Sequence, residues 1–526
     1  MRAESFSSDH LAPTPAKGVL PLPARCYLPL VTALIAVWTW RPLTGREDFW
    51  SHIAVGRWIW EHQSAPFETL WIWSAPPQSW IAHSWLTQLS LYGLMQTGGA
   101  HLVLLVTIIV VAFPFVWFWK LWAQRGTINA FTPIFFALAI WCAQVRFQPR
   151  PELFSAFFLS VLLLFLIHWP RSATRSKSFV VIALFALWAN FHGGVALGIA
   201  ILLLTIAAEL LQQKFARPAW KLAALGGACV LAVNCNPYGF AYWKTLLQVG
   251  GAMFKMIDEW KPPLQAPALP VGAVALVVVI ALIAFLAWSR NPQRRWAQLL
   301  WLIFGCALFL MARRNLWPCI LISVAVSAAN AQGFGSFARM NFALKTRLLG
   351  QTMAVTWLLC WILLAFSTEA ISTQRGMPFL RATSRVLPRG VANAVLNQRL
   401  PDPLFNDYLR SGYFQWRFDG TRKLYIDLQN VYPAALLENY FAIIARTPQG
   451  RNEFERLKIN TVIFGKHRSD DRLAPMATYL NSQSKIWMPI YRGEDGAAWV
   501  RRSAWTKIRD EKQTPTKHPS PTATKN

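Results

Sequence analysis

The chain has 526 residues, 54% of them hydrophobic and only 14% charged. Soluble domains carry about 25% charged residues, so the composition argues against an ordinary cytoplasmic enzyme. Lys and Arg exceed Asp and Glu by 28. That excess sits mostly in short gaps between apolar runs, which points to membrane topology and away from nucleic-acid binding.

In chain order, residues 1–25 hold no apolar core. They are expected to form a disordered cytoplasmic N-terminus without a cleavable signal peptide, so the first hydrophobic segment directs insertion. About eleven apolar segments follow, near 26–43, 100–120, 130–146, 153–169, 179–190, 193–211, 220–234, 269–289, 296–312, 315–331 and 350–370. Each is a candidate full or partial span. Between alternate segments lie Lys120 and Arg125, then Arg171, Arg175 and Lys177, then Lys214, Arg217 and Lys221. Arg290, Arg294 and Arg295 continue the set, with Arg339, Lys345 and Arg347. The positive-inside rule makes that side cytoplasmic and predicts a multi-pass membrane protein with its N-terminus inside.

The spanning region is therefore predicted over 26–370, with a long first outer loop at 41–99. An odd number of spans places residues 371–506 outside. There 423–427, 461–464, 487–491 and 497–501 read as strands, and 433–445, 448–457 and 471–480 carry helical spacing. A small extracytoplasmic α/β domain follows, ending in a tail, 507–526, with the composition of disorder. The seven cysteines show no CxxC spacing, so neither a zinc site nor a disulfide framework is expected.

Ionisable residues near a membrane are costly and mark function. Here they gather on the predicted outer face: Glu47, Asp48, His52, His83, Arg146, Arg150, Glu152, Asn190, His192, Asp258, Glu259, Arg313 and Arg314. Arginine on that side runs against the topology rule, and several separate loops supply these groups, which suggests one shared cavity. Asp48 and His52, four apart, share a helix face, while Phe49, Trp50, Ile53 and Trp60 form an apolar one suited to the headgroup layer. A carboxylate held there can act as a general base; the same Asp also fits a simple helix N-cap. Arg146, Arg150, Arg313 and Arg314 could grip phosphate as bidentate donors or merely snorkel at the interface. His192, in Asn190-Phe-His-Gly-Gly194, could meet substrate or satisfy freed backbone groups. No GxxxxGK[ST], no GxGxxG after a strand and no serine nucleophile elbow occurs.

Asp48-Phe-Trp-Ser-His-Ile-Ala-Val-Gly56, Trp80-Ile-Ala-His83, Arg150-Pro-Glu-Leu-Phe-Ser155 and Leu187-Trp-Ala-Asn-Phe-His-Gly-Gly194 resemble a large, mostly uncharacterised bacterial membrane-protein family. Asn236-Pro-Tyr-Gly239, Glu259-Trp260, Phe405-Asn-Asp-Tyr408, Gly412-Tyr413 and Tyr425-Ile-Asp427 continue the match. That family is similar to the GT-C superfamily of glycosyltransferases, which includes protein O-mannosyltransferases and the oligosaccharyltransferase catalytic subunit. The resemblance implies a GT-C-like fold, an acidic catalytic residue in the first outer loop and a polyprenyl-phosphate-linked sugar donor. Asp48 holds the position of that carboxylate, with Glu47 or His52 tuning it. Arg146, Arg150, Arg313 and Arg314 become the donor-phosphate set, and His83, Asn190, His192 and Glu259 cavity-lining groups. The first loop carries Glu47-Asp48 and no DxD, which leaves the use of a divalent metal open.

The expected function is a membrane glycosyltransferase moving a sugar from a polyprenyl-phosphate donor to a protein, lipid or glycan acceptor, with membrane lipid as its other partner. The alternatives are a non-catalytic polyprenyl-lipid binding or flipping protein and an envelope-assembly scaffold.

Overall fold

The computed structural model describes residues 22–44, 48–126, 128, 131–169, 174–212, 217–247, 258–265, 271–334, 383–384, 386–429, 431–466 and 473–513. Helices α1 (Leu22–Thr39), α2 (Phe49–His62), α3 (Trp85–Arg125), α4 (Phe131–Ala143), α5 (Glu152–Ile167) and α6 (Arg175–Phe191) come first. After them come α7 (Val195–Gln212), α8 (Arg217–Ala232), α9 (Ala241–Leu247), α10 (Val271–Arg290), α11 (Trp296–Met311) and α12 (Leu316–Ala329). Among the described residues, α3, α7 and α10 are long and apolar enough to cross a membrane. The apolar helices α5 and α11 are shorter. Ile109, Phe179, Leu203, Leu282, Ile303 and Leu310 face outward from this bundle. An apolar surface of that extent fits lipid and not water. The eleventh expected segment, 350–370, lies outside the described residues.

Two sets of helix ends meet at opposite poles. At one, the Arg295 guanidinium pairs with Glu209 of α7 and donates to the Leu166 and Trp169 carbonyls after α5. Asn291 and Gln298 there bind Asn330 at the end of α12. Helix α11 then carries the chain 16 residues to Arg313, a rise of about 24 Å. At that second pole lie Asp48, the α4–α5 turn, the α6–α7 break and Arg313–Asn315. Sequence-distant polar residues are thus collected by helix alternation.

Helix α3 leaves helical geometry at Gly99 (φ 61°, ψ −162°), so its first part, from Trp85, is a separate helix ahead of the apolar segment expected from residue 100. A correction concerns α2. Phe49, Trp50 and Ile53 do not reach headgroups. They are 0–2% exposed and pack with Leu387, Val391, Tyr413 and Phe414 of the C-terminal domain. Each such burial stabilises by about 1.5–3 kcal/mol, and here protein supplies it in place of lipid. Trp60 alone of that face stays exposed.

The C-terminal domain carries a four-stranded sheet of β1 (Leu404–Asn406), β2 (Thr461–Gly465), β3 (Trp487–Gly493) and β4 (Gly496–Arg501), in the order β1-β2-β4-β3. β1 is parallel to β2; the other pairings are antiparallel. The expected strand at 423–427 is not one of the four: Leu424 makes only an isolated bridge to Ile72 of the first loop. Polar demand explains this. Asn406 beside β1 donates to the Ile426 carbonyl and accepts from Tyr425 N, so side chain replaces ladder. Helices at Ala434–Ile444, Pro448–Arg456 and Ala474–Ser482 cover the sheet.

This domain is fastened to the first loop. The Arg57 guanidinium donates to the Trp416 carbonyl, pairs with Asp419 and lies 4.4 Å over the Trp416 ring. Gly412, in the helix Ser411–Phe418, approaches α2 so closely that a Cβ would fall 2.8 Å from Ser51 N. Backbone cannot step aside cheaply there. Gly412→Val should therefore lose about 1–3 kcal/mol of stability by overpacking, read as a lower unfolding temperature of the purified protein in detergent. An unchanged midpoint would mean that the two helices separate freely.

Candidate active site

The site is built where helix ends converge. Asp48 occupies the N-cap position of α2 but makes no capping hydrogen bond through its side chain. Its carboxylate is 41% exposed and faces Arg150, with Oδ2 3.7 Å from Nη2. Glu47 lies outside the described residues.

Arg146 and Arg150 flank the tight turn that Pro149 and Pro151 impose between α4 and α5. Both guanidiniums grip Glu259, at 3.3 Å from Arg146 and 3.0 Å from Arg150. Arg146 also pairs with Glu152 at the start of α5. The Nε of each arginine is buried without a protein partner, as is Oε1 of Glu152. Burial drives the Glu259 carboxyl upward, but Arg146 and Arg150 outweigh it and hold the group at about 2. Asp258 instead pairs with Lys261.

Arg314 stacks 4.1 Å above the Trp260 ring, adding a third cation beside this network. Arg313 turns aside: its backbone N–H donates to the Lys261 carbonyl, and its Nη1 is buried without a partner. Three guanidiniums therefore stand against three carboxylates, and an incoming anion must exchange for a carboxylate it displaces.

The histidines meet on the adjacent wall. His83 and His192 have ring centroids 5.8 Å apart. His52 Nδ1 lies 3.4 Å from Gln88 Nε2. Burial lowers His52 and His83 to about 4, with Arg150 adding to the effect on the first and Arg314 on the second; Asp48 opposes it at His52. Burial, reinforced by His83, likewise holds His192 well below its ordinary value. All three rings are neutral at pH 7. Asn190 is wholly engaged: it accepts from Trp85 Nε1 and donates to the Ala186 and Cys235 carbonyls, so it clamps α6 to the first loop.

Sequence reasoning placed Glu152 in the polar set but gave no site role to Trp260, Ser155 or Trp188. Ser155 and Trp188 look like ordinary helix residues and only packing reveals them. A small apolar crevice between α3 and α5 is lined by Leu91, Val103, Val110, Leu153 and Phe154, with Arg150 among its lining residues. Among the described residues, no group of three His, Cys, Asp or Glu is arranged to hold a metal ion.

Glu259 gives the network a pH signature. Its carboxyl is lower in the folded protein than the ordinary 4.5, so its stabilising contribution is present above 4.5 and fades as pH falls towards 2. The difference in unfolding temperature between the natural protein and Glu259→Gln should be level from neutral pH down to about 4.5, then shrink. A difference already shrinking above pH 6 would contradict this pairing.

No family model matches the chain, and no curated protein sequence does. Solved structures share its fold. The oligosaccharyltransferase of Archaeoglobus fulgidus in its apo form superposes with a TM-score of 0.51 at 10% identity, covering 87% of this chain and 71% of the other. The archaeal oligosaccharyltransferase AglB from the same organism, in complex with an inhibitory peptide and a dolichol-phosphate, gives 0.53 at 12% identity, covering 89% and 72%. ArnT from Cupriavidus metallidurans bound to undecaprenyl phosphate gives 0.49 at 15% identity, covering 91% and 97%. The oligosaccharyltransferase matches carry the assignment: the chain has a GT-C-like fold.

Proposed function

We propose that the protein is an inverting glycosyltransferase of the bacterial cytoplasmic membrane, using a polyprenyl-phosphate-linked sugar at the outer face. The observation that carries this reading is the contact between Asp48 and Arg150 beside a small apolar crevice. Asp48 is half-exposed to water, as a base meeting an acceptor must be. Arg150 also borders apolar side chains of α3 and α5, and Arg146 and Arg314 stand in the same charged cluster.

In this reading the acceptor hydroxyl gives its proton to Asp48. Its oxygen bonds to the sugar C1 as the C1–O bond to phosphate breaks, and that electron pair leaves on the polyprenyl phosphate. Arg146, Arg150 and Arg314 stabilise the developing charge, as fixed donors do in a water-poor site. One arginine touches both the base and the phosphate position, so deprotonation and departure are coupled through it. The donor needs no nucleotide, in keeping with a sequence that lacks nucleotide-binding motifs. The C-terminal domain lies at the pole of the site, and the loop charges assign that pole to the outside.

Two measurements test this. Asp48→Asn keeps size but removes the basic oxygen, so transfer from a polyprenyl-phosphate donor in detergent should fall by about 10²–10⁴-fold with folding intact. Near-normal transfer by the folded variant would remove Asp48 from the reaction and favour a lipid-binding protein. A periplasm-dependent reporter fused at the C-terminus should be active; activity only of a cytoplasm-dependent reporter would reverse the orientation.

A further inference from the structure

His192 is held by an arrangement that fixes where its proton sits. Ser155 Oγ lies 2.7 Å from Trp188 Nε1 and 2.7 Å from His192 Nδ1. Indole nitrogen only donates, so it occupies one of the two lone pairs of the serine oxygen. Gly194 N–H, which can only donate, reaches His192 Nδ1 at 3.2 Å. An Nδ1 that accepts from it carries no proton of its own, so the serine hydroxyl donates to the same nitrogen. The neutral ring therefore carries its proton on Nε2.

Close packing sustains the arrangement. A Cβ on Gly194 would fall 2.2 Å from Ser155 Oγ and 2.8 Å from His192 Nδ1, so only glycine admits both. The same crowding excludes Ser155 as a nucleophile: its oxygen is buried between Trp188, His192 and Gly194, where no reacting carbon fits. The far side of the ring is different. Nε2 has no protein partner among the described residues, and the ring lies beside His83 and within electrostatic reach of Arg314.

We propose that His192 serves the site as a neutral hydrogen-bond donor, its Nε2–H directed at a phosphoryl oxygen of the lipid-linked substrate, with Trp188, Ser155 and Gly194 as positioning residues. The identity of that oxygen rests on the function proposed above; the position of the proton does not. A neutral donor suits this wall. Arg146, Arg150 and Arg314 already crowd the neighbourhood, and an imidazolium would add repulsion, whereas an N–H adds a directed bond without charge.

Two independent readouts test the proposal. In protein labelled with ¹⁵N-histidine, the signal lost in His192→Gln should show a proton on Nε2 and a bare Nδ1 at neutral pH. Undecaprenyl phosphate added in detergent should shift that Nε2–H resonance. An Nδ1–H or doubly protonated ring, or no shift at saturating lipid, would overturn it. In transfer assays His192→Leu should lose about 10–100-fold in kcat/KM for the donor, the range for a hydrogen bond to a charged group. His192→Gln, whose amide N–H reaches the same place, should keep most of that activity at an unchanged acceptor KM. A folded His192→Gln protein as impaired as His192→Leu would show that an ionising ring is required, against the proposal. Ser155→Ala takes the hydroxyl donor away from Nδ1 and should shift the Nδ1 signal; an Nδ1 signal unchanged in that variant would also count against it. Absence of transfer by the natural protein would count against the reaction alone, and the ring signal would still decide the tautomer.

Discussion

The sharing of Glu259 between Arg146 and Arg150 is the interaction on which the site depends. Two guanidiniums at the end of α4 would repel one another and drift into water without a common counter-charge. With Glu259 from a distant loop between them, they are pinned at the head of α5 with their Nε atoms buried. Arg150 is then left with one face toward Asp48. That 3.7 Å contact is the loosest in the network, and it is the one a substrate anion can most easily replace.

Asp48 in turn owes its position to the C-terminal domain. Helix α2 has an apolar face that would otherwise seek lipid, and it is instead roofed by the helix Ser411–Phe418 and anchored through Arg57. A base that rode on a lipid-borne helix would move with the bilayer. Roofed by protein, it keeps its distance to Arg150. The C-terminal domain therefore holds Asp48 in place for the proposed chemistry.

Much of this was legible from residues. The apolar runs marked the helices to within a few positions, because hydropathy depends on composition alone. The arginines at 146 and 150 stood out because the expected topology sets them against the charge rule, and the structure places Arg150 against Asp48 with Arg146 beside it. What the sequence concealed was long-range partnership. The burial of Phe49 and Trp50 under Tyr413 depends on a contact more than three hundred residues away, and no local pattern separates it from headgroup insertion. Short strand β1 was hidden because three residues carry no period, while 423–427 reads as a strand and yet bonds to the Asn406 side chain and to Trp71 and Trp73 of the first loop. Ser155 and Trp188 read as helix filler until packing sets them behind His192.

The most direct test of the central claim is equilibrium binding of undecaprenyl phosphate to purified protein in nanodiscs, comparing the natural chain with Arg150→Gln. Loss of one charge-assisted hydrogen-bond pair should weaken binding by about 10–100-fold, with little change for a neutral polyprenol of the same length. Equal affinity of the two proteins for the phosphate would contradict the assignment of this arginine cluster as the site that holds the lipid-linked donor.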